Sequence, residues 1–135
     1  RGPLRTAEAQ EGDGIDAGTA FVCPGRQCME VEMGTKGYRI RLKPPDESDR
    51  YVPSADRLMR SVAKAAGRRA IGVVLTGMGD DGLLGARAIV EAGGIVVAES
   101  EESAVVYGMP GAVKRAGLAS MSLSLADLGE WLAHL

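Results

Sequence analysis

Two adjacent aspartates, Asp80 and Asp81, are the residues whose type and position are best suited to chemistry. They lie in a Gly-Met-Gly-Asp-Asp-Gly turn at 77–82, after a short apolar run at 71–75 and at the start of a helical pattern at 82–92. Such a run is typical of a strand buried on both faces. A carboxylate at the end of a buried strand can orient a histidine and stabilise its charged form, as the acid of a Ser-His-Asp triad does. The glycines of the turn would also let backbone N–H groups approach an oxyanion.

Two other interpretations of this turn stay open. Aspartate is common at helix N-caps, and one aspartate could cap the following helix while the other does chemistry. The spacing does not choose between them. The turn also matches the dinucleotide-binding pattern Gly-x-Gly-x-x-Gly. Carboxylates beside the third glycine would repel a pyrophosphate, but Glu99 and Glu101 lie about twenty residues on, where such sites bind the ribose.

A triad also needs a nucleophile and a base, and the sequence offers neither in a recognisable pattern. None of its serines lies in a Gly-x-Ser-x-Gly turn. Its single histidine, His134, lies on the last predicted helix, where a surface position is expected. An aspartate in this turn would therefore be one third of a triad.

The composition fits one α/β domain. A chain of 135 residues is long enough for one domain with a core, and its formal net charge of −2 gives no general attraction to nucleic acid. No apolar run approaches the length of a membrane span. Cys23 and Cys28 lack the further cysteine or histidine ligands that zinc would need. Two free thiols of a cytoplasmic protein are therefore expected, with no metal and no cofactor.

The first part of the chain supplies an antiparallel hairpin. Residues 1–18 are polar and glycine-rich without a period, which predicts an exposed lead-in loop. A short strand is predicted at 19–23. Alternating residues then predict a hairpin at 28–33 and 37–42, with one polar face and a place near a sheet edge.

The middle of the chain predicts a βαβ unit around the aspartate turn. A helix capped by Ser54 is predicted to end at Gly67. The strand at 71–75, the helix at 82–92 and a strand at 95–98 should then place two parallel strands on either side of a crossover helix.

The C-terminal part predicts two more helices. An acidic turn at 99–102 is followed by a short helix at 110–117, with Pro110 as its first residue. The last helix is predicted to begin at Ser124. Its apolar stripe consists of Leu125, Leu128, Leu132 and Leu135.

Four blocks of the sequence agree in order and spacing with one known family. The most specific are Val-Leu-Thr-Gly-Met-Gly-Asp-Asp-Gly at 74–82 and Ser-Ala-Val-Val-Tyr-Gly-Met-Pro at 103–110. Ala-Phe-Val-Cys-Pro-Gly at 20–25 and Pro-Ser-Ala-Asp at 53–56 are the other two. Together the blocks extend over nearly the whole chain. They resemble the CheB-type protein-glutamate methylesterases of bacterial chemotaxis.

The resemblance implies a three-layer α/β/α fold with a mostly parallel sheet and an antiparallel hairpin. Residues 1–135 would be the C-terminal part of that catalytic domain. The implied activity is hydrolysis of glutamate methyl esters on methyl-accepting chemotaxis receptors, with deamidation of receptor glutamines in many members. The mechanism uses a serine, a histidine and an aspartate.

The resemblance also assigns residues within the turn. The family's catalytic aspartate directly precedes the last glycine of the signature, which here makes it Asp81, whereas the position of Asp80 varies. The backbone around Met78, with Gly77 and Gly79 on either side, would lie near the site that binds the oxyanion.

The sequence departs from the family in one large respect. The family's catalytic serine and histidine lie upstream of the first matching block, as does a receiver domain whose phosphorylation activates the esterase. Truncation is the expected explanation because the sequence begins with arginine, and this chain alone is expected to be inactive. The alternative is a non-catalytic remnant that binds receptors or a signalling partner. Without upstream strands, the sheet should have an exposed apolar edge.

Overall fold

The computed structural model describes residues 4–135 and shows an α/β fold with mostly parallel strands, as predicted. The described residues form three small sheets: a parallel pair, an antiparallel hairpin and a parallel three-stranded sheet. No helix among the described residues is long and apolar enough to cross a membrane. The elements are β1 (Arg5–Glu8), β2 (Thr19–Val22), β3 (Cys28–Gly34), β4 (Gly37–Lys43), α1 (Ala55–Ala66), β5 (Ile71–Val74), α2 (Leu83–Glu91), β6 (Ile95–Glu99), α3 (Gly108–Arg115), β7 (Met121–Leu123) and α4 (Leu125–Ala133).

The three-stranded sheet has the order β5-β6-β7, with β6 in the centre. Its strands β5 and β6 are parallel and joined through α2, which confirms the predicted βαβ unit. Strand β5 lies at an edge, and Ile71 and Leu75 are 38% and 41% exposed. The prediction of burial on both faces is therefore wrong for β5 within the described residues, whereas the expected apolar edge is present.

The main core forms where α1 and α2 pack together beside β5 and β6. Close packing of the two helices requires Gly85, because a Cβ there would lie 2.5 Å from the Met59 Cβ. Burial of apolar side chains is the main stabilising term in such a core. Its buried members are Met59, Ala63, Ala70, Val74, Ala86, Ile89, Val96, Val113 and Leu118.

Helix α1 begins as predicted and also anchors the hairpin. The Ser54 hydroxyl accepts a hydrogen bond from the Arg57 N–H at 3.2 Å, and Gly67 ends the helix with φ = 56°. On its other side, the Ser61 hydroxyl accepts from the Val31 N–H of β3 at 2.8 Å. Within residues 4–135, the hairpin is a separate two-stranded sheet, held by α1 and by backbone hydrogen bonds between residues 12–15 and β4.

Two strands were not predicted. Residues 1–18 were expected to be a lead-in loop, but β1 lies within them and pairs in parallel with β2, its Arg5 opposite Thr19. Residues 1–3 lie outside the described part of the chain. Strand β7 completes the three-stranded sheet beside β6. Both strands are short and depend on a distant partner, which a local periodicity does not reveal.

The C-terminal predictions need three corrections. Helix α3 begins at Gly108, two residues before Pro110. Glu99 is the buried last residue of β6 and not the first residue of the acidic turn predicted at 99–102. Of the leucine stripe on α4, Leu128 is buried while its other leucines are at least 39% exposed.

Candidate active site

The Asp81 carboxylate is buried and caps a helix other than its own. It is 7% exposed. Its Oδ2 accepts a hydrogen bond from the Ala55 N–H at 2.8 Å, and its Oδ1 accepts from the Asp56 N–H at 2.9 Å. Both donors lie in the first turn of α1. Asp81 therefore does cap a helix, but that helix is α1 and not α2, the helix that follows it.

Asp56, in the first turn of α1, caps the N-terminus of α2. Its Oδ1 accepts from the Gly82 N–H at 2.9 Å and from the Gly85 N–H at 2.8 Å. The N-termini of α1 and α2 thus meet, and each helix supplies the carboxylate that satisfies the other. Helix N-termini carry a partial positive charge, which stabilises both carboxylates in this position. The result is a rigidly oriented Asp81.

Asp80 has a different environment from its neighbour. Its side chain is 48% exposed and lies 3.6 Å from the Arg50 guanidinium. The Tyr51 hydroxyl donates a hydrogen bond to its Oδ1 at 3.2 Å. Burial therefore separates two aspartates that the sequence spacing could not distinguish.

The segment 76–79 is fixed against the start of α3. The Gly77 N–H donates to the Val106 carbonyl at 3.0 Å, and the Gly77 carbonyl accepts from the Met109 N–H at 2.8 Å. A Cβ on Gly108 would lie 2.9 Å from both the Gly77 oxygen and the Gly79 nitrogen. The Thr-Gly-Met-Gly and Gly-Met-Pro blocks are therefore two halves of one packed unit.

Within this unit, the three residues predicted near an oxyanion differ in whether their backbone N–H groups are free to bind one. The Gly77 N–H is already bonded to a carbonyl, so it is unavailable to an oxyanion. Met78 is 80% exposed. Gly79 has φ = 88°, and a Cβ there would lie 2.6 Å from the Tyr51 hydroxyl, so this position requires glycine. Among residues 4–135, no acceptor contacts the N–H groups of Met78 or Gly79.

A cleft of about 610 Å³ lies beside Asp80. Arg57 at its wall donates to Glu30 at 2.7 Å and to Asp49 at 2.6 Å, and the hydrogen bond to Glu30 raises the pKa of Arg57. The cleft is thus lined by charged groups, several of them already paired. Its lining residues are Glu30, Asp46, Ser48, Asp49, Arg50, Tyr51, Ser54, Asp56, Arg57, Arg60, Asp80, Leu83 and Leu84.

The geometry contradicts the dinucleotide interpretation. A pyrophosphate would need the free N–H groups at the start of α2, but Asp56 accepts from Gly82 and Gly85 there. A ribose would need an accessible carboxylate. Of the two candidate glutamates, Glu99 is only 1% exposed and its two oxygens accept from the Thr76 N–H and the Ser103 hydroxyl, whereas Glu101 is exposed.

The remaining candidate groups lie outside this unit. His134 is exposed at the end of α4, with its Nδ1 2.8 Å from the Glu130 carbonyl. Cys23 and Cys28 are free thiols, and burial raises the pKa of each. Residues 4–135 contain no group of three histidine, cysteine or acidic side chains placed to hold a metal ion.

Asp56 and Glu99 were missed as parts of the site. The sequence places Asp56 only within a family block at 53–56, and Glu99 in an acidic turn or at a ribose contact. The signal in the sequence for Asp56 is the Pro-Ser-Ala-Asp block at 53–56. Because this helix start matches a family block, Asp56 can have a role in the site as well as in its own helix.

The chain is similar to known proteins over nearly its whole length. The family model described as CheB methylesterase matches residues 1–132. A protein-glutamate methylesterase/protein-glutamine glutaminase of Myxococcus xanthus is 45% identical over 99% of this chain and 39% of its own length. A second protein of that name, from Rhodospirillum rubrum, is 48% identical over 94% of this chain and 33% of its own length.

A solved structure shows the same fold. The catalytic domain of the Thermotoga maritima CheB methylesterase superposes with a TM-score of 0.88 and 32% identity, over 93% of this chain and 66% of that one. The chain therefore spans between one third and two fifths of the two curated relatives, and about two thirds of the solved domain. On this evidence, the chain belongs to the CheB methylesterase family.

Proposed function

We propose that the protein carrying this chain hydrolyses glutamate methyl esters on methyl-accepting chemotaxis receptors, with Asp81 as the acid of a Ser-His-Asp triad. The observation that carries the proposal is the buried Asp81 carboxylate, fixed by two N–H donors from α1. A triad aspartate has to hold a histidine in one orientation. A carboxylate that is itself held in one orientation is suited to that task.

The chemistry follows the acyl-transfer pathway. The serine oxygen attacks the ester carbonyl while the histidine takes its proton, and Asp81 stabilises the imidazolium that forms. The C–O bond to methanol then breaks as the histidine returns the proton, leaving an acyl-enzyme. Water then hydrolyses the acyl-enzyme, which leaves a glutamate carboxylate on the receptor and regenerates the serine hydroxyl. With a glutamine substrate, ammonia leaves in place of methanol, which accounts for deamidation.

In this proposal, the catalytic serine and histidine belong to a part of the protein outside residues 1–135. The N–H groups of Met78 and Gly79 are proposed to face the oxyanion, because Met78 is the exposed tip of a rigid turn. The protein is also proposed to act in the cytoplasm, under the control of an upstream receiver domain.

Methanol release from methylated receptor tests the proposal, using the complete native protein. Asp81→Asn is expected to lower kcat by about 10³–10⁴, the scale for a triad whose histidine is held in the wrong tautomer. Asp80→Asn is the matched control, because this half-exposed neighbour interacts with Arg50 and Tyr51, whereas Asp81 accepts the N–H groups of the α1 N-terminus. Full activity of a folded Asp81→Asn protein would refute the role of Asp81.

No methanol release from the folded wild-type protein would refute the esterase itself. The non-catalytic alternative would then be tested by receptor binding. Among the described residues, no feature of the geometry favours that alternative over the esterase.

A further inference from the structure

Glu99 is a buried carboxylate that the proposed mechanism leaves without a role. It is the last residue of β6 and only 1% exposed. Its Oε1 accepts a hydrogen bond from the Thr76 N–H at 2.8 Å, and its Oε2 accepts from the Ser103 hydroxyl at 2.7 Å. The Ser103 oxygen in turn accepts from the Leu125 N–H at the start of α4, at 2.9 Å. One side chain thus connects three segments of the fold.

The connection to Thr76 concerns the site directly. Thr76 is the first residue after Leu75 and begins the turn that carries Met78 and Gly79. On its other side, the Thr76 hydroxyl accepts from the Val106 N–H at 2.8 Å and donates to the Val106 carbonyl at 3.1 Å. The base of the turn is therefore clamped between Glu99 and Val106.

The chemistry of these contacts favours a carboxylate. Glu99 receives two donors at two different oxygens, which a glutamine cannot do because one of its two groups is itself a donor. Burying a carboxylate is costly unless it is hydrogen-bonded in this way. Among residues 4–135, no cation pairs with Glu99, so its stabilisation rests on these hydrogen bonds.

We propose that Glu99 is a positioning residue: through the Thr76 N–H it fixes the turn whose Met78 and Gly79 amides face the oxyanion. The inference rests on the proposed esterase function for its catalytic half. Its structural half, that Glu99 immobilises Thr76, stands on the hydrogen bonds alone. A displacement of the turn by about 1 Å would cost about 10²-fold in rate.

The test uses three variants of the complete native protein. Glu99→Met keeps a side chain of similar length but removes both acceptors. Glu99→Gln keeps an acceptor for the Thr76 N–H and is the conservative rescue. Ser103→Ala is the matched control, because it removes the hydrogen bond to Glu99 Oε2 and the contact with Leu125 while the Thr76 N–H keeps its acceptor, Glu99 Oε1.

Two readouts are measured on each variant: amide hydrogen exchange at Thr76, and kcat and KM for methanol release. Glu99→Met is expected to speed exchange at Thr76 by about tenfold or more. It should lower kcat by about 10- to 100-fold with little change in KM. Glu99→Gln and Ser103→Ala are expected to keep Thr76 protected and kcat within a few-fold of wild type. If Glu99→Met does not fold, Glu99→Asp replaces it, since the shorter side chain withdraws the carboxylate from Thr76.

The outcomes separate this inference from the proposed function. Unchanged exchange at Thr76 in Glu99→Met overturns the structural half. Faster exchange with a wild-type kcat overturns the catalytic half, as does an equal loss of kcat in Ser103→Ala. If the wild-type protein releases no methanol, the esterase proposal and the catalytic half fail together, and the exchange rates alone then decide whether Glu99 holds the turn.

Discussion

The exchange of caps between α1 and α2 makes asparagine acceptable at position 56 and harmful at position 81. Asp56 receives both of its N–H donors on a single oxygen, Oδ1. An asparagine can present its one oxygen to the same two donors. Asp81 receives its donors on separate oxygens. An asparagine there must turn its NH₂ group towards one backbone N–H.

The magnitudes follow from these contacts. Asp56→Asn loses only the attraction between the charge and the helix dipole, about 0.5 kcal/mol. Asp56→Ala loses both hydrogen bonds and leaves the start of α2 uncapped, which should cost about 2 kcal/mol. Asp81→Asn keeps one hydrogen bond but leaves a buried donor facing another donor, which should also cost about 2 kcal/mol.

Urea unfolding followed by far-UV circular dichroism measures these differences as free energies of unfolding. Asp80→Asn serves as the control with an expected change below about 0.5 kcal/mol, because exposed polar substitutions seldom matter more. The reasoning is refuted if Asp56→Asn destabilises as much as Asp56→Ala. It is equally refuted if Asp81→Asn is as mild as Asp56→Asn, because separate acceptor oxygens would then have no consequence.

Two further predictions concern packing and thiol reactivity. Gly108→Ala should destabilise the fold by about 2 kcal/mol or more and lower methanol release, because its Cβ would clash with backbone atoms of Gly77 and Gly79. A melting temperature and a kcat equal to wild type would contradict this prediction. Burial raises the pKa of Cys28, so a smaller fraction of this thiol is ionised at a given pH. At pH 8 it should react with a thiol reagent more slowly in the folded protein than in the urea-unfolded chain. Equal rates in the two states would contradict this prediction.

Much of the region around the turn could be predicted because its signals are local. The apolar run before Thr76, the glycines of the turn and the helical spacing after Gly82 each depend on neighbouring residues. The cap of α1 by Ser54 has the same local origin, since donor and acceptor lie three residues apart. The structure confirms these elements to within one or two residues.

The parts that could not be predicted depend on distant partners. Asp81 and the α1 N-terminus are 25 to 26 residues apart in sequence, so nothing near Asp81 shows which helix it caps. Glu99 looks like part of an acidic surface turn because three of the residues at 99–102 are glutamates. Its burial follows from Thr76 and Ser103, which become its neighbours only in the folded sheet.

The most direct test of the account is the ratio of kcat for Asp81→Asn to kcat for Asp80→Asn, measured as methanol released from methylated receptor by the complete native protein. The two variants make the same chemical change at adjacent positions, one buried and one half exposed. The account predicts a ratio of about 10⁻³ or less, with both proteins folded at the assay temperature. A ratio near one would contradict the assignment of Asp81 as the residue that orients the catalytic histidine.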